Sequence, residues 1–213
     1  MTDLLKIAHR GYSVLYGDNN MKSFQKAYEE GFDVIELDIQ LNKDNEIVVY
    51  HDLHIHGVFV SDMSHKQTKD HGILLLKNVF EEFRYASIIL YLDLKGNVKL
   101  SEILIKFIVL MKFPQDRLWI ASFNKNHLYT FMCSPLKVIL GFITANDFYP
   151  HEHESLLHNI DFVCCNIHIL SRRFVENLKE LNKEVFVYTG ENTYDIEYIK
   201  KFSVDGIVTN FIF

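Results

Sequence analysis

Short β-rich runs of four to seven residues recur along the whole chain, and segments with helical periodicity separate most of them. The strand candidates are Leu5–Ala8, Val34–Ile39, Glu46–Tyr50, Ile88–Leu94, Leu118–Ala121, Val138–Phe142, Phe162–Cys165, Glu184–Tyr188 and Gly206–Thr209. Between them, Met21–Glu30, Leu76–Phe83, Leu100–Lys112, Lys125–Cys133, Arg172–Leu181 and Asp195–Phe202 read as helices, the first with Asn20 as its cap and Gly31 as its stop. Repeated β-then-α punctuation calls for a parallel sheet wrapped by helices. A doubly wound open sheet and a closed barrel both fit that order, and the number of repeats favours the (β/α)8 TIM barrel. Only Asn210–Phe213 follow the last strand, so the last outer helix is expected to be short or missing. Residues 52–72 have weak periodicity and read as a loop or small excursion. With no linker, no low-complexity tract and three prolines, residues 1–213 are expected to form one domain, and 48% hydrophobic content suffices for its core.

Composition narrows the partners. A net charge of −6 disfavours nucleic acid but leaves room for a small anion held by a metal and a few basic side chains. No apolar run approaches the roughly 18–20 residues that span a bilayer, so stable membrane insertion is not expected. The start, Met1 to His9, lacks the marks of a signal peptide. Cys133, Cys164 and Cys165 are odd in number, two of them adjacent, which reads as free thiols in a reducing, cytoplasmic setting. Oligomeric state has no signature here.

The most informative stretch is Asp33–Ile39. Side chains alternate on a strand, so Glu36 and Asp38 share one face and Ile35, Leu37 and Ile39 the other. In a barrel the apolar set would pack on the helices and the carboxylates would point inward, where like charges are costly without a cation or donors. The competing reading is a half-exposed antiparallel strand with a wet face. Asp93 and Lys95 repeat the alternation on another run, offering a third oxygen ligand and a fixed positive charge; a surface salt bridge is the plain alternative. Three carboxylates suit a hard cation, Mg2+ or Ca2+, better than zinc.

His9 and His51 each end a predicted strand, where barrel enzymes place their chemistry. Two imidazoles beside a metal can serve as general base and general acid because they titrate near neutrality. His54 and His56 with His51, and His151 with His153, resemble zinc sets in spacing, yet they lack firm spacing or a cysteine partner and read as structural or solvent-facing. Cys164 and Cys165 sit in an apolar run and read as core.

His9-Arg10-Gly11, Asp18-Asn19-Asn20, Phe24, Gly31, Glu36-Leu37-Asp38 and His51-Asp52 together resemble the N-terminal signature of glycerophosphodiester phosphodiesterases. The resemblance continues through Asp93-Leu94-Lys95, Ser122-Phe123, Val187-Tyr188-Thr189 and Asp205–Thr209. It implies a (β/α)8 barrel, a divalent metal, and hydrolysis of a small-molecule glycerophosphodiester to glycerol 3-phosphate and an alcohol. By that resemblance Glu36, Asp38 and Asp93 bind the metal, His9 and His51 act as acid and base, Arg10 and Lys95 hold the phosphate, and Tyr188 lines the substrate pocket. It also implies attack on phosphorus by the substrate's own neighbouring hydroxyl, with a cyclic phosphate opened by water. The chain departs from the pattern with Asp93 and Asp18 for Glu, Tyr188 for Trp and Asn210 for Asp. The Asp-x-Lys form also resembles sphingomyelinase D-type phospholipases. Two alternatives therefore stand beside the main expectation: a phospholipase D-like activity on lysophospholipids or sphingomyelin, and a silent barrel that binds phosphorylated metabolites or partner proteins.

Overall fold

Eight strands hydrogen-bond in parallel round a closed ring in the computed structural model, which describes residues 4–213. They are β1 (Leu5–Ala8), β2 (Val34–Leu41), β3 (Ile89–Leu94), β4 (Leu118–Ser122), β5 (Ile139–Thr144), β6 (Phe162–Asn166), β7 (Glu184–Gly190) and β8 (Gly206–Thr209). β1 pairs with both β2 and β8, which closes the ring and decides the barrel over the open sheet. Met1–Asp3, the first residues of the segment read for a leader, lie outside the described residues. No described helix is long and apolar enough to cross a membrane.

Outer helices follow seven of the strands: α1 (Met21–Glu29), α2 (Leu76–Glu82), α3 (Lys99–Met111), α4 (Lys125–Met132), α5 (Glu154–Leu157), α6 (Arg172–Glu180) and α7 (Thr193–Ile199). Four of them start on a side-chain cap: Asn20, Asn124, Ser171 and Asn192 each accept from a backbone N–H of the first turn. Those caps satisfy donors that a helix start leaves unpaired and set where each β-to-α loop ends. No helix follows β8 among the described residues; Phe211, Ile212 and Phe213 pack there against the barrel's apolar exterior.

The run Glu46–Tyr50 is not a barrel strand. Its central residues, Ile47–Val49, pair antiparallel with the upper end of β2, Ile39 opposite Val49 and Leu41 opposite Ile47. β-propensity reports a half-buried extended segment and carries no strand direction, so composition does not distinguish this run from a stave. Residues 52–72 are the small excursion expected, with a hairpin of His54–Ile55 and Val58–Phe59 and a helix, His65–Asp70, capped by Ser64. α5, only four residues long, has no counterpart among the predicted helices.

Alternation along each strand divides the core. Ile35, Leu37 and Ile39 of β2 face outward and share one buried cluster with Phe24 and Ala27 of α1 and Leu76 and Phe80 of α2. Inward, Ile7, Val34, Tyr91, Trp119, Phe162, Phe186 and Val208 fill the barrel. Trp119 and Phe186 stack with centroids 5.1 Å apart, and Phe162 lies 4.9 Å from Phe186 and 5.5 Å from Tyr91. Gly141 makes room for this plug: a Cβ there would sit 2.1 Å from the Phe162 ring. The interior is therefore a packed core, and its open space lies above, at the strands' C-terminal ends.

Candidate active site

Two residues above the aromatic plug, the inward positions become charged. β2 presents Val34, Glu36 and Asp38 in turn, and β3 presents Tyr91 and then Asp93. The register sets Glu36 beside Tyr91 and Asp38 beside Asp93, so the alternation read from sequence delivers all three carboxyls to adjoining inward positions. They are buried, and one oxygen from each lies within 4.8 Å of the others. This is the single group of histidine, cysteine or acidic side chains among the described residues close enough to hold an ion. The histidine sets with zinc-like spacing do not assemble.

Lys95, one residue past β3, continues the inward face. Its Nζ lies 2.5 Å from Asp93 Oδ2 and 3.1 Å from Asp38 Oδ1. Arg10 approaches from β1. Its backbone N–H donates to Glu36 Oε2 at 2.8 Å, while its guanidinium reaches Asp18 Oδ2 at 2.8 Å and Asp38 Oδ2 at 3.2 Å. That reversal of the chain needs Arg10 at φ 57° and Gly11 at φ 81°. A Cβ on Gly11 would meet Ser23 Oγ at 2.5 Å and Phe24 at 2.8 Å, so the middle of His-Arg-Gly turns left-handed and only glycine fits its end.

The two histidines reach the cavity by different routes. His9 follows β1 directly, and its Nδ1 lies 2.7 Å from Asn210 Oδ1. A carbonyl oxygen only accepts, so the proton sits on Nδ1 and Nε2 is the free nitrogen. His51 comes down the antiparallel return strand, which carries it back to the mouth although it does not end a barrel strand. Its Nδ1 donates to Asp52 Oδ1 at 2.8 Å. Tyr188 stands across the cavity, its hydroxyl donating to the Thr144 carbonyl at 3.2 Å. All eight residues singled out from sequence line one cavity of about 440 Å3.

Its two walls differ. The ends of β1, β2 and β3, the return strand and the segment after β8 supply most of the charged and polar side chains, whereas the ends of β4 to β7 supply Phe123, Ile143, Cys164 and Tyr188, with Thr189 and Glu191 beside them. The plain expectation of core cysteines holds for burial, with Cys164 inside the barrel and Cys165 outside it.

Burial and the neighbouring carboxylates Asp38 and Asp93 hold the Glu36 carboxyl well above its ordinary range. Burial also lifts Asp93, to about 6, against the pull of Lys95. Asp38 feels the same burial, but Lys95 and Arg10 outweigh it and keep its carboxyl below the ordinary value. Burial, aided by the Arg10 cation, lowers His9 and favours its neutral ring despite the Asn210 hydrogen bond. Asp93 Oδ1 is buried with no hydrogen-bond partner. An all-oxygen set, carboxyls forced toward their neutral forms and one orphaned oxygen together fit a hard divalent cation.

Sequence reasoning gave no role to several residues that build the site. Asn19 clasps Asp38: its Nδ2 donates to Asp38 Oδ2 at 2.8 Å, and its Oδ1 accepts from the Asp38 N–H at 3.2 Å. Asp18 holds Arg10, and Asn210 orients His9 while also accepting from Ser13 Oγ at 3.3 Å. Phe123 and Glu191 line the far wall. The signal for Asn19 was its place in a run of turn-formers just ahead of a helix cap, where the backbone takes φ 52°.

Comparisons with known proteins agree on one family. Residues 9–129 match the model of the Glycerophosphoryl diester phosphodiesterase family. A glycerophosphodiester phosphodiesterase of Caldanaerobacter subterraneus is 30% identical over 234 residues, covering 97% of this chain and 93% of that one. A crystal structure of a glycerophosphodiester phosphodiesterase from Parabacteroides distasonis superposes with TM-score 0.87 at 24% identity, over 97% of this chain and 92% of its own. An Oleispira antarctica phosphodiesterase solved with the product sn-glycerol-3-phosphate superposes with TM-score 0.82 at 20% identity, over 96% and 92%.

Proposed function

The chain belongs to the glycerophosphoryl diester phosphodiesterase family, and on that premise we propose that it hydrolyses glycerophosphodiesters to glycerol 3-phosphate and an alcohol at the barrel mouth. One observation carries the reading: Glu36, Asp38 and Asp93 converge within 4.8 Å beside His9, Arg10 and Lys95 in one cavity.

Glu36, Asp38 and Asp93 would hold Mg2+ or Ca2+. When bound, such a cation would neutralise the carboxyl cluster and offset charge on the phosphoryl oxygens. Arg10 and Lys95 then have the task of fixing the phosphate, since both cations sit at the edge of the cluster with their charge toward the cavity. His9, half-buried, with its pKa lowered toward the neutral ring and held by Asn210 with Nε2 free, suits the general base that takes a proton from the attacking hydroxyl. His51, more open to solvent and paired to Asp52, suits the acid that gives a proton to the leaving alcohol. If the attacking group is the glycerol hydroxyl next to the ester, a P–O bond forms to it as the bond to the alcohol breaks. Water then opens the cyclic phosphate with the two histidines in exchanged roles.

The test is turnover of glycerophosphocholine, glycerophosphoethanolamine, lysophospholipids and bis(p-nitrophenyl) phosphate by purified protein, with Mg2+, with Ca2+ and with chelator. Glycerophosphodiester turnover that chelator abolishes and a divalent cation restores is expected. Equal turnover by protein shown metal-free by elemental analysis would overturn the metal assignment. Turnover of lysophospholipids alone would favour the phospholipase D-like alternative.

A further inference from the structure

The far wall of the cavity carries a carboxylate that the catalytic reading leaves unused. Glu191 lies just past β7 and lines the cavity with Tyr188 and Phe123. Every other carboxylate of the cavity is engaged: Asp18 and Asp38 by Arg10, Asp38 and Asp93 by Lys95, and Glu36 by the Arg10 N–H. Among the described residues Glu191 has no cationic or hydrogen-bonding partner for its side chain; only its backbone N–H is tied, to Asp195 Oδ2 at 3.0 Å. Two aromatic rings flank the same wall, Phe123 and Tyr188, packed edge to face with centroids 6.0 Å apart. Phe123 already faces one cation, Lys95 Nζ at 5.5 Å from its centroid.

An aromatic face and a carboxylate together recognise an organic cation, the first through its quadrupole and the second through charge. Arg10 follows β1 and Lys95 follows β3, with Lys95 bordering Phe123, so a phosphate held between them leaves the diester's other groups room along β4 to β7. We infer that Glu191, with Phe123 and Tyr188, selects diesters whose leaving alcohol carries a positively charged nitrogen, such as choline or ethanolamine, over those with a neutral polyol. The inference rests on the phosphodiesterase reading above. Glu191 contributes specificity: its charge lowers the energy of a cationic alcohol and does nothing for an uncharged one.

The test compares kcat/KM on glycerophosphocholine and glycerophosphoglycerol, with saturating Mg2+ or Ca2+, for wild type, Glu191→Gln and Glu191→Lys. The expected result is a wild-type preference for the choline diester that falls about tenfold in Glu191→Gln and further in Glu191→Lys, and shrinks with added salt. A tenfold change in the ratio corresponds to about 1.4 kcal/mol, within the range of one partly solvated charge contact. An unchanged ratio in both variants overturns the inference while leaving the phosphodiesterase reading intact. An equal fall on both diesters also overturns it, because Glu191 would then contact the glycerol that they share. Absence of wild-type turnover on any glycerophosphodiester overturns the functional reading and this inference with it. Since the Glu191 side chain makes no contact that folding needs, circular dichroism of both variants is expected to match wild type.

Discussion

The lower and upper halves of the barrel interior are built from the same strands, often two residues apart, with opposite physics. Tyr91 and Asp93 are consecutive inward positions of β3, as are Val34 and Glu36 of β2. Below, rings are chosen for volume: Trp119, Phe162 and Phe186 interlock, and Gly141 is small because Phe162 is large. Above, three buried carboxyls crowd together, at a cost that only cations and donors offset. The lower layer stabilises the fold and the upper layer spends part of that stability on a site poised for an ion. Stability and function thus separate by height in one barrel, and substitutions at the two levels should fail in different ways.

The sharpest test of that separation is Glu36→Gln. Activity should fall by about 10⁴, the scale of losing several kcal/mol of cation-dependent transition-state stabilisation. Without added cation, however, the variant should melt at or above the wild-type temperature, because folding then no longer buries an ionisable carboxyl, and one beside two others. A Glu36→Gln protein that melted far below wild type would show that the upper layer also supports the fold, and the comparison would break.

His9 and His51 belong to the upper layer by position and should behave likewise. Each alanine variant should keep its circular dichroism and lose about 10²–10⁴ in kcat. Because the two would act as a pair, the double variant should fall well short of the product of the single losses. Near wild-type turnover by either one would make that histidine structural.

Phe162→Ala probes the other level. It removes a fully buried ring from the centre of the plug and should cost about 3–5 kcal/mol in denaturant unfolding. Below its lowered melting point the variant should retain its affinity for the cation, read by the rise in Tm on adding Mg2+ or Ca2+. Loss of that rise in a folded variant would mean that the plug fixes the carboxyl geometry directly.

Both layers were partly legible in the sequence, for unequal reasons. The carboxylate pair of β2 was visible because a strand's period of two puts Glu36 and Asp38 on one face whatever surrounds them. The plug was not, because Trp119, Phe162 and Phe186 lie in runs apolar on both faces, and only ring closure decides which side is inside. His51 was placed at the right end of the molecule by the wrong route. Its run had the composition of a strand, and composition does not distinguish a stave from an antiparallel return. The clasp of Asn19 on Asp38 spans 19 residues, and the run of turn-formers round Asn19 announces its turn but not its partner. Short elements such as α5 escape because four residues cannot display a helical period.

The smallest expected effect concerns pH and sharpens the contrast without touching activity. Burial raises Asp93 from the ordinary carboxylate value to about 6, so the native state binds a proton more tightly there than the unfolded chain does. A carboxyl shifted upward makes its full contribution to stability below the unfolded value near 4, and that contribution is lost as pH rises through about 6. Asp38 has the opposite sign, since Lys95 and Arg10 hold it low; it stabilises above the ordinary value and ceases to do so only in stronger acid. His9, lowered by burial, also favours folding as pH rises toward 6.5, so wild type alone would mix the three trends. Asp93→Asn isolates one of them. Near pH 4 and below, the variant and cation-free wild type should melt closest together, since Asp93 is neutral in the native state and is becoming so in the unfolded chain. At pH 7.5 the variant should gain on wild type by a few degrees, at about 2–4 °C per kcal/mol for a chain of this size. Saturating cation should reverse the order at pH 7.5 and do little at pH 5, because the ion must displace protons from Asp93 and Glu36 to bind. A difference in Tm that stayed constant from pH 5 to 7.5 would mean that Asp93 is ionised throughout, with Lys95 neutralising it fully. The upper layer would then carry no electrostatic cost at that position.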